Sequence, residues 1–189
     1  MDKRRDSKDI SLGQSEVKII IAGSGGQGIL LLGKILAQSL LEEDKNVSWL
    51  PSYGAEVRGG TCKCMVVGSD NEVSSPCIAS PDCLIIMNQP SYKKYTHLLK
   101  KDAAVFYNSS LIASNTLNEE LSNIAADATE AANRLGNLKC ANMVMLGKFI
   151  RESALIKLET AIGVLDKFIK NKDILELDKR ALEKGFSDE

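Results

Sequence analysis

Residues 17–28 read VKIIIAGSGGQG, and this stretch decides the fold class. Its first half is a continuous run of mostly β-branched apolar residues, which predicts a buried strand. After the glycine-rich second half, residues 29–44 carry apolar side chains at helical spacing, which predicts a buried helix. Gly23, Gly25 and Gly28 fit the pattern G-x-G-x-x-G between strand and helix, where glycine permits a tight turn and close approach of the backbone.

Strands and helices alternate along the rest of the chain. We predict further strands at 46–50, 61–67, 83–87 and 104–107, an edge strand at 123–126, and helices at 91–99, 129–135, 142–151, 156–169 and 172–184. The turn residues before Glu72–Ser75 predict a hairpin or a β excursion there. The alternation predicts an α/β fold, a Rossmann-like open and mostly parallel sheet with helices on both faces.

The two ends of the chain carry little apolar periodicity. Residues 1–16 are polar and aperiodic, so we expect a flexible leader. A single domain with a helical C-terminal segment is expected over 17–189. The charged last helix is expected to face solvent or an interface.

Charge and hydropathy exclude several classes of protein. Lys plus Arg number 24 and Asp plus Glu number 25, a formal net charge of -1, so nucleic acid is a poor candidate partner. Apolar runs are too short for a membrane span, and the N-terminus lacks the apolar core of a secretory signal. An odd count of five cysteines agrees with a reducing compartment, and we expect a cytoplasmic location.

The glycine turn is the first candidate binding element. A helix N-terminus offers free N–H groups and partial positive charge, so Gly23, Gly25, Gly26, Gln27 and Gly28 form a candidate anion or cofactor site. Dinucleotide binding also needs an acid after the second strand, but that strand ends in Trp-Leu-Pro-Ser. Close packing alone explains the glycines equally well, and both interpretations remain open.

A second loop is expected at the same end of the sheet. It follows the second strand and contributes the candidate contact residues Tyr53, Glu56, Arg58, Gly59 and Gly60. An aromatic hydroxyl, an acid and a guanidinium among glycines suit contact with a partner or ligand. The alternative is a solvated loop with an internal ion pair between Glu56 and Arg58.

Six sequence blocks together resemble one known family. The blocks are GSGGQG with its apolar helix, SYGAEVRGGT at 52–61, Ser75-Pro76, Ser80-Pro81-Asp82 with Leu84, MNQPS at 87–91 and NMVMLG at 142–147. Over roughly residues 17–150 their order and spacing resemble the gamma subunits of 2-oxoacid:ferredoxin (or other acceptor) oxidoreductases. MNQPS resembles the 2-oxoglutarate synthase type.

The resemblance implies a role and a set of partners. It implies the gamma-domain fold of pyruvate:ferredoxin oxidoreductases, in a complex that converts 2-oxoglutarate and coenzyme A into succinyl-CoA and carbon dioxide. Thiamine diphosphate, magnesium, iron–sulfur clusters and coenzyme A belong to the whole complex, with alpha, beta and a ferredoxin-like delta subunit as partners. The gamma domain packs over the catalytic core near coenzyme A. When isolated, the chain is expected to be inactive, and the formation of a homo-oligomer is left open.

The residues themselves agree with an assisting role. The sequence has no GDG motif for thiamine and no C-x-x-C spacing for a cluster, and Cys62 and Cys64 are interpreted as buried thiols. His97 is the only histidine and is expected to be solvated. We therefore assign no catalytic residue, no metal ligand and no cofactor bound by this chain alone. A stand-alone nucleotide-binding protein that uses GSGGQG is the alternative.

One helix carries a local basic patch. Lys93, Lys94, Lys100 and Lys101 lie on or beside the helix predicted at 91–99. They could meet phosphates or an acidic partner. A solvated helix face is the competing interpretation.

Overall fold

The computed structural model describes residues 15–52, 61–100 and 103–187. The strands are β1 (Glu16–Ser24), β2 (Asn46–Ser52), β3 (Thr61–Ser69), β4 (Cys83–Ile86), β5 (Ala104–Asn108) and β6 (Ser122–Ala126). The helices are α1 (Ile29–Glu42), α2 (Gln89–Tyr95), α3 (Ala128–Arg134), α4 (Ala141–Ser153), α5 (Leu158–Phe168) and α6 (Lys172–Ser187). Among the described helices, none is long and apolar enough to cross a membrane.

Six strands form one sheet in the order β2-β3-β1-β4-β5-β6. The pairs β1–β4, β4–β5 and β5–β6 are parallel, whereas β3 runs antiparallel to both β1 and β2. Only eight residues, 53–60, connect β2 to β3, and a parallel crossover needs a dozen or more. The predicted open, mostly parallel α/β sheet is confirmed, with β3 as its one reversed strand.

Alternate side chains of the central strands enter two separate cores. Ile19, Ile21 and Phe106 point into the larger core, which α1 and α3–α6 cover. Ile20 and Val105 point to the opposite face, which α2 and the neighbouring loops cover. Helices therefore lie on both faces, as predicted, but five of the six pack on one side.

The hairpin predicted around Glu72–Ser75 is wrong. No strand forms there; instead β3 continues through Gly68 to Ser69. Gly68 pairs with Val17 and Val47 within the sheet, and Leu40 of α1 packs against it, with a methyl carbon 3.0 Å from the position of a Cβ. The antiparallel partners of β3 are β1 and β2, on either side of it.

The last helix exposes its charged side, as expected, but its other side is buried within the chain. α6 packs lengthwise on α4, and Ala181, Leu182 and Gly185 are buried at that contact. The helices approach so closely that a Cβ on Gly185 would lie 1.9 Å from the Val144 carbonyl oxygen. Most charged residues of α6 lie on the side away from α4. The composition of the helix therefore does not indicate its buried face.

Candidate functional site

The candidate site lies at the switch point of the sheet, between β1 and β4. After β1 the chain builds β2 and β3 on one side, and it later builds β4, β5 and β6 on the other. In open α/β sheets, ligands bind in the crevice beyond the carboxyl ends of strands at such a switch point. Here the glycine turn after β1 and the residues Met87 and Asn88 after β4 border it. We call the end of the sheet where β1, β2, β4, β5 and β6 finish the C-terminal rim.

The glycines of the turn fall into two pairs with different physical roles. A Cβ on Gly23 would lie 2.6 Å from a methyl of Ile29, and one on Gly28 would lie 2.3 Å from the Asn142 amide nitrogen. Gly25 and Gly26 are exposed, with no atom within 4 Å of a Cβ. Packing within the chain therefore explains Gly23 and Gly28, while Gly25 and Gly26 leave an open backbone surface.

Side-chain amides hold the turn in place. Within the turn, Gln27 accepts a hydrogen bond from the Ser24 backbone N–H (2.7 Å) and donates one to the Met87 carbonyl (3.3 Å). Asn142 donates to the Gly28 carbonyl at 3.2 Å. These neutral groups fix the turn without any titratable side chain.

Two further amides tie the neighbouring strands to the same network. Asn88 donates to the Ser24 hydroxyl, and it caps α2 by accepting from the Ser91 N–H at 2.9 Å. The fully buried Asn108 donates to the Met87 carbonyl and, at 2.7 Å, to the Thr129 hydroxyl. The C-terminal rim is thus a rigid surface at the ends of β1, β4 and β5.

The start of α1 keeps the capacity for an anion. Gly28 occupies the N-cap position with φ 69°, no side chain caps the helix, and its first turn holds no acid. The N-terminal N–H groups of a 14-residue helix favour negative charge. The exposed Gly25 and Gly26 adjoin these groups.

The second predicted loop lies outside the described residues, but its two ends do not. Tyr53, Glu56, Arg58, Gly59 and Gly60 all belong to it. The strand register pairs Thr61 with Ser24, and Ser52 with Lys63. Both ends of the loop are therefore at the C-terminal rim, beside the glycine turn, as the sequence predicted.

Sequence reasoning missed two of the amides that build the rim. Asn108 was not singled out, and Asn142 was noted only within the block NMVMLG. The available signal was positional: Asn108 ends a fully buried strand, and Asn142 directly precedes the apolar residues of α4. A buried side-chain amide needs hydrogen-bond partners. At the end of a sheet, the backbone groups of the loops supply them.

The described residues do not supply a metal or cluster site. No three His, Cys, Asp or Glu side chains converge among them. Burial raises the pKa of the Cys64 thiol to about 12 and also raises the pKa of Cys83, whereas a metal ligand needs a thiolate. His97 is exposed. This donor set does not fit an iron–sulfur cluster.

Gly28→Ala tests the turn itself. We expect a loss of about 2 kcal/mol in unfolding free energy, because alanine is strained at φ 69° and its Cβ displaces Asn142. Gly26→Ala is the matched control: it has φ 88° but open space, so only about 1 kcal/mol is expected. Urea denaturation measures both. Equal losses would show that the contact with Asn142 is unimportant.

The fold and the rim define the class of protein. It is an α/β protein with a glycine turn at the switch point of its sheet. Residues 18–187 match the model of the pyruvate ferredoxin/flavodoxin oxidoreductase family, and the chain belongs to that family. The resemblance found in the sequence blocks is thereby confirmed.

Two similar relatives with curated names differ in the substrate that the name gives. The 2-oxoglutarate synthase subunit KorC of Methanocaldococcus jannaschii is 32% identical over 173 residues, 89% of this chain and 91% of that one. The ketoisovalerate oxidoreductase subunit VorA of Methanothermobacter thermautotrophicus is 34% identical over 172 residues, 90% of this chain but only 36% of that one. The chain therefore spans about a third of VorA and nearly the whole of KorC.

Solved structures share the fold over almost the entire chain. A keto/oxoacid ferredoxin oxidoreductase gamma subunit from Geobacter sulfurreducens has a TM-score of 0.78 and 27% identity, covering 90% of this chain and 96% of that one. A 2-oxoglutarate:ferredoxin oxidoreductase from Magnetococcus marinus has a TM-score of 0.79 at 23% identity, covering 92% and 31%. The second likeness concerns the fold alone.

Proposed function

We propose that this chain is the gamma subunit of a 2-oxoglutarate:ferredoxin (or other acceptor) oxidoreductase. The complex converts 2-oxoglutarate and coenzyme A into succinyl-CoA and carbon dioxide and passes the electrons to the acceptor. The observation that carries the proposal is the end-to-end match with KorC, of which this chain covers 91%. The block MNQPS at 87–91, which forms the rim after β4, supports the 2-oxoglutarate type.

The chain assists the reaction and leaves the chemistry to its partners. Its described residues offer no metal site, and its buried thiols are poor ligands. As the family resemblance implies, this proposal assigns thiamine diphosphate, magnesium and the iron–sulfur clusters to alpha, beta and delta subunits of a cytoplasmic complex.

The C-terminal rim is the surface that faces those partners or coenzyme A. The amide network makes it rigid, and rigid surfaces lose less conformational entropy on binding. Gly25 and Gly26 leave their backbone open, and the loop at 53–60 ends at Thr61, which pairs with Ser24 directly before these glycines. In this arrangement Tyr53, Glu56 and Arg58 supply the side-chain contacts.

A branched-chain 2-oxoacid is the second candidate substrate. The ketoisovalerate subunit VorA of Methanothermobacter marburgensis is 41% identical over 132 residues, although these are only 27% of its length. The test is coenzyme A-dependent reduction of a viologen dye by the native complex. A kcat/KM at least tenfold higher for 2-oxoglutarate than for 3-methyl-2-oxobutanoate supports the proposal, and the reverse ratio overturns the choice of substrate.

Arg58→Ala tests the role of the loop. In the assembled complex we expect lower turnover or a severalfold higher apparent KM for coenzyme A, because a guanidinium binds phosphate and carboxylate groups. Arg180→Ala, which removes an exposed guanidinium from α6, is the control. Unchanged kinetics and unchanged subunit assembly in Arg58→Ala would contradict a contact role.

A further inference from the structure

The sheet ends at β6, an edge strand that pairs only with β5 among the described strands. In a parallel pair, every second residue of a strand directs both its backbone groups toward the neighbouring strand. Ser122 donates to the Ala103 carbonyl at 3.1 Å, and the Ala126 carbonyl accepts from the Ser109 N–H at 2.8 Å. The even-numbered residues of β6 therefore face β5.

The odd-numbered residues of β6 face away from the sheet. The backbone N–H and C=O groups of Asn123 and Ala125 point outward, and none of the described residues bonds to them. Ala125 is exposed, so its side chain leaves this edge accessible. Such a row of unpaired backbone groups is a template for a further strand.

β6 also lacks the features that protect edge strands from pairing. Its sequence, SNIAA, contains no charged residue, no proline and no glycine. The strand at the other edge of the sheet, β2, contains Pro51, which has no N–H group to donate. Of the two edges, β6 is therefore the one that favours the addition of a strand.

The sequence of β6 suits pairing with a copy of itself. In an antiparallel pair centred on Ile124, Asn123 of each copy lies opposite Ala125 of the other, and the two pairs exchange four backbone hydrogen bonds. Ile124 then lies opposite its own copy at a position without hydrogen bonds, where cross-strand side chains are closest. Since Ile124 is half-buried against the larger core, this contact removes more of its apolar surface from water.

The charges beside the two ends of β6 favour the same antiparallel direction. Glu119 and Glu120, which precede the strand, are exposed. The other end borders a cleft of about 350 Å³ that is lined by three bases and one acid, Arg134, Lys148, Lys184 and Asp127. An antiparallel pair places the acids of each copy beside the basic cleft of the other, whereas a parallel pair would bring the acids of both copies together.

We propose that two copies of this chain pair through their β6 edges and form a two-fold symmetric dimer with one continuous sheet. Such an interface uses the same patch on both copies. β4 and β5 separate β6 from β1, so the pairing leaves the glycine turn accessible. The dimer goes beyond the proposed oxidoreductase role and does not depend on it.

Ala125→Pro tests the backbone pairing. Proline removes an outward-facing N–H group and leaves every bond between β5 and β6 in place, and edge strands tolerate proline at such positions. Sedimentation equilibrium of the full chain measures the dimer dissociation constant, and circular dichroism checks that the variant folds. We expect a dimer in the unmodified chain and about tenfold weaker dimerisation in Ala125→Pro.

Two matched lysine variants test the charges without altering the backbone. Glu120→Lys is expected to weaken dimerisation about fivefold, whereas Glu159→Lys, at an exposed acid of α5, should change it by less than about twofold. A chain that stays monomeric at about 0.2 mM would overturn the proposal. A dimer that Ala125→Pro leaves unchanged, or equal effects of the two lysine variants, would overturn it as well.

Discussion

Gly185→Ala is expected to destabilise the chain by about 3 kcal/mol or more and to lower Tm by about 10 °C. The added Cβ would lie 1.9 Å from the Val144 carbonyl oxygen and 2.7 Å from its carbon. These are backbone atoms of α4, so no rotamer change relieves the overlap and the helices must move apart. Gly147→Ala is expected to destabilise the same contact from α4, because its added Cβ would lie 2.0 Å from the Leu182 carbonyl oxygen of α6.

Gly163→Ala is the matched control for this contact. Gly163 lies on the exposed side of α5, and no atom lies within 4 Å of the position of its Cβ. Alanine there should stabilise the chain by about 0.5–1 kcal/mol, because it is the better helix former. Thermal and urea denaturation measure all three variants. A neutral Gly185→Ala would show that α4 and α6 are not in this close contact.

Asp178→Asn is expected to stabilise the chain at neutral pH by about 2–3 kcal/mol. Asp178 is 6% exposed on the packed side of α6, and burial raises the pKa of its carboxyl from 3.8 to about 6. The folded state thus binds this proton more tightly than the unfolded state. Ionisation of Asp178 therefore costs stability, and asparagine removes that cost.

The pH dependence of this gain in unfolding free energy tests the direction of the pKa shift. Below about pH 4 the carboxyl is protonated in both states, so the gain should vanish; it should grow between pH 4 and 6 and be complete above about pH 6. Asp173→Asn, at an exposed position in the first turn of α6, should bring no gain. A benefit independent of pH, or none at pH 7, would contradict the assignment.

The elements that the sequence predicted well are those with strong local signals. β1 and α1 combine a β-branched run, a glycine turn and helical periodicity, and their bounds differ from the prediction by one or two residues. The reversed direction of β3 follows from the short connection at 53–60. The pattern of apolar residues predicts the strands but does not indicate their relative direction. The place of α6 depends on Gly147 and Gly185, which meet only in three dimensions.

The candidate site also has features that the sequence predicted and features that only the structure shows. The motif located the glycine turn, but only the structure separates Gly23 and Gly28, which packing requires, from Gly25 and Gly26, which face open space. Lys94 was visible as part of a basic patch, whereas Lys63, which lies beside the same Tyr95 ring as Lys94, is 31 residues earlier on another element. Contacts of this kind depend on strand register, which a single sequence does not encode locally.

The most direct test of the central claim is purification of the tagged chain from its native cells under oxygen-free conditions. Co-purifying proteins are identified by mass spectrometry, and the sample is assayed for viologen reduction that requires both 2-oxoglutarate and coenzyme A. We expect partner subunits that carry the thiamine and cluster motifs, and activity that is lost when this chain is removed and restored when it is added back. A chain that emerges alone with a bound nucleotide, and without such activity, would contradict the subunit role.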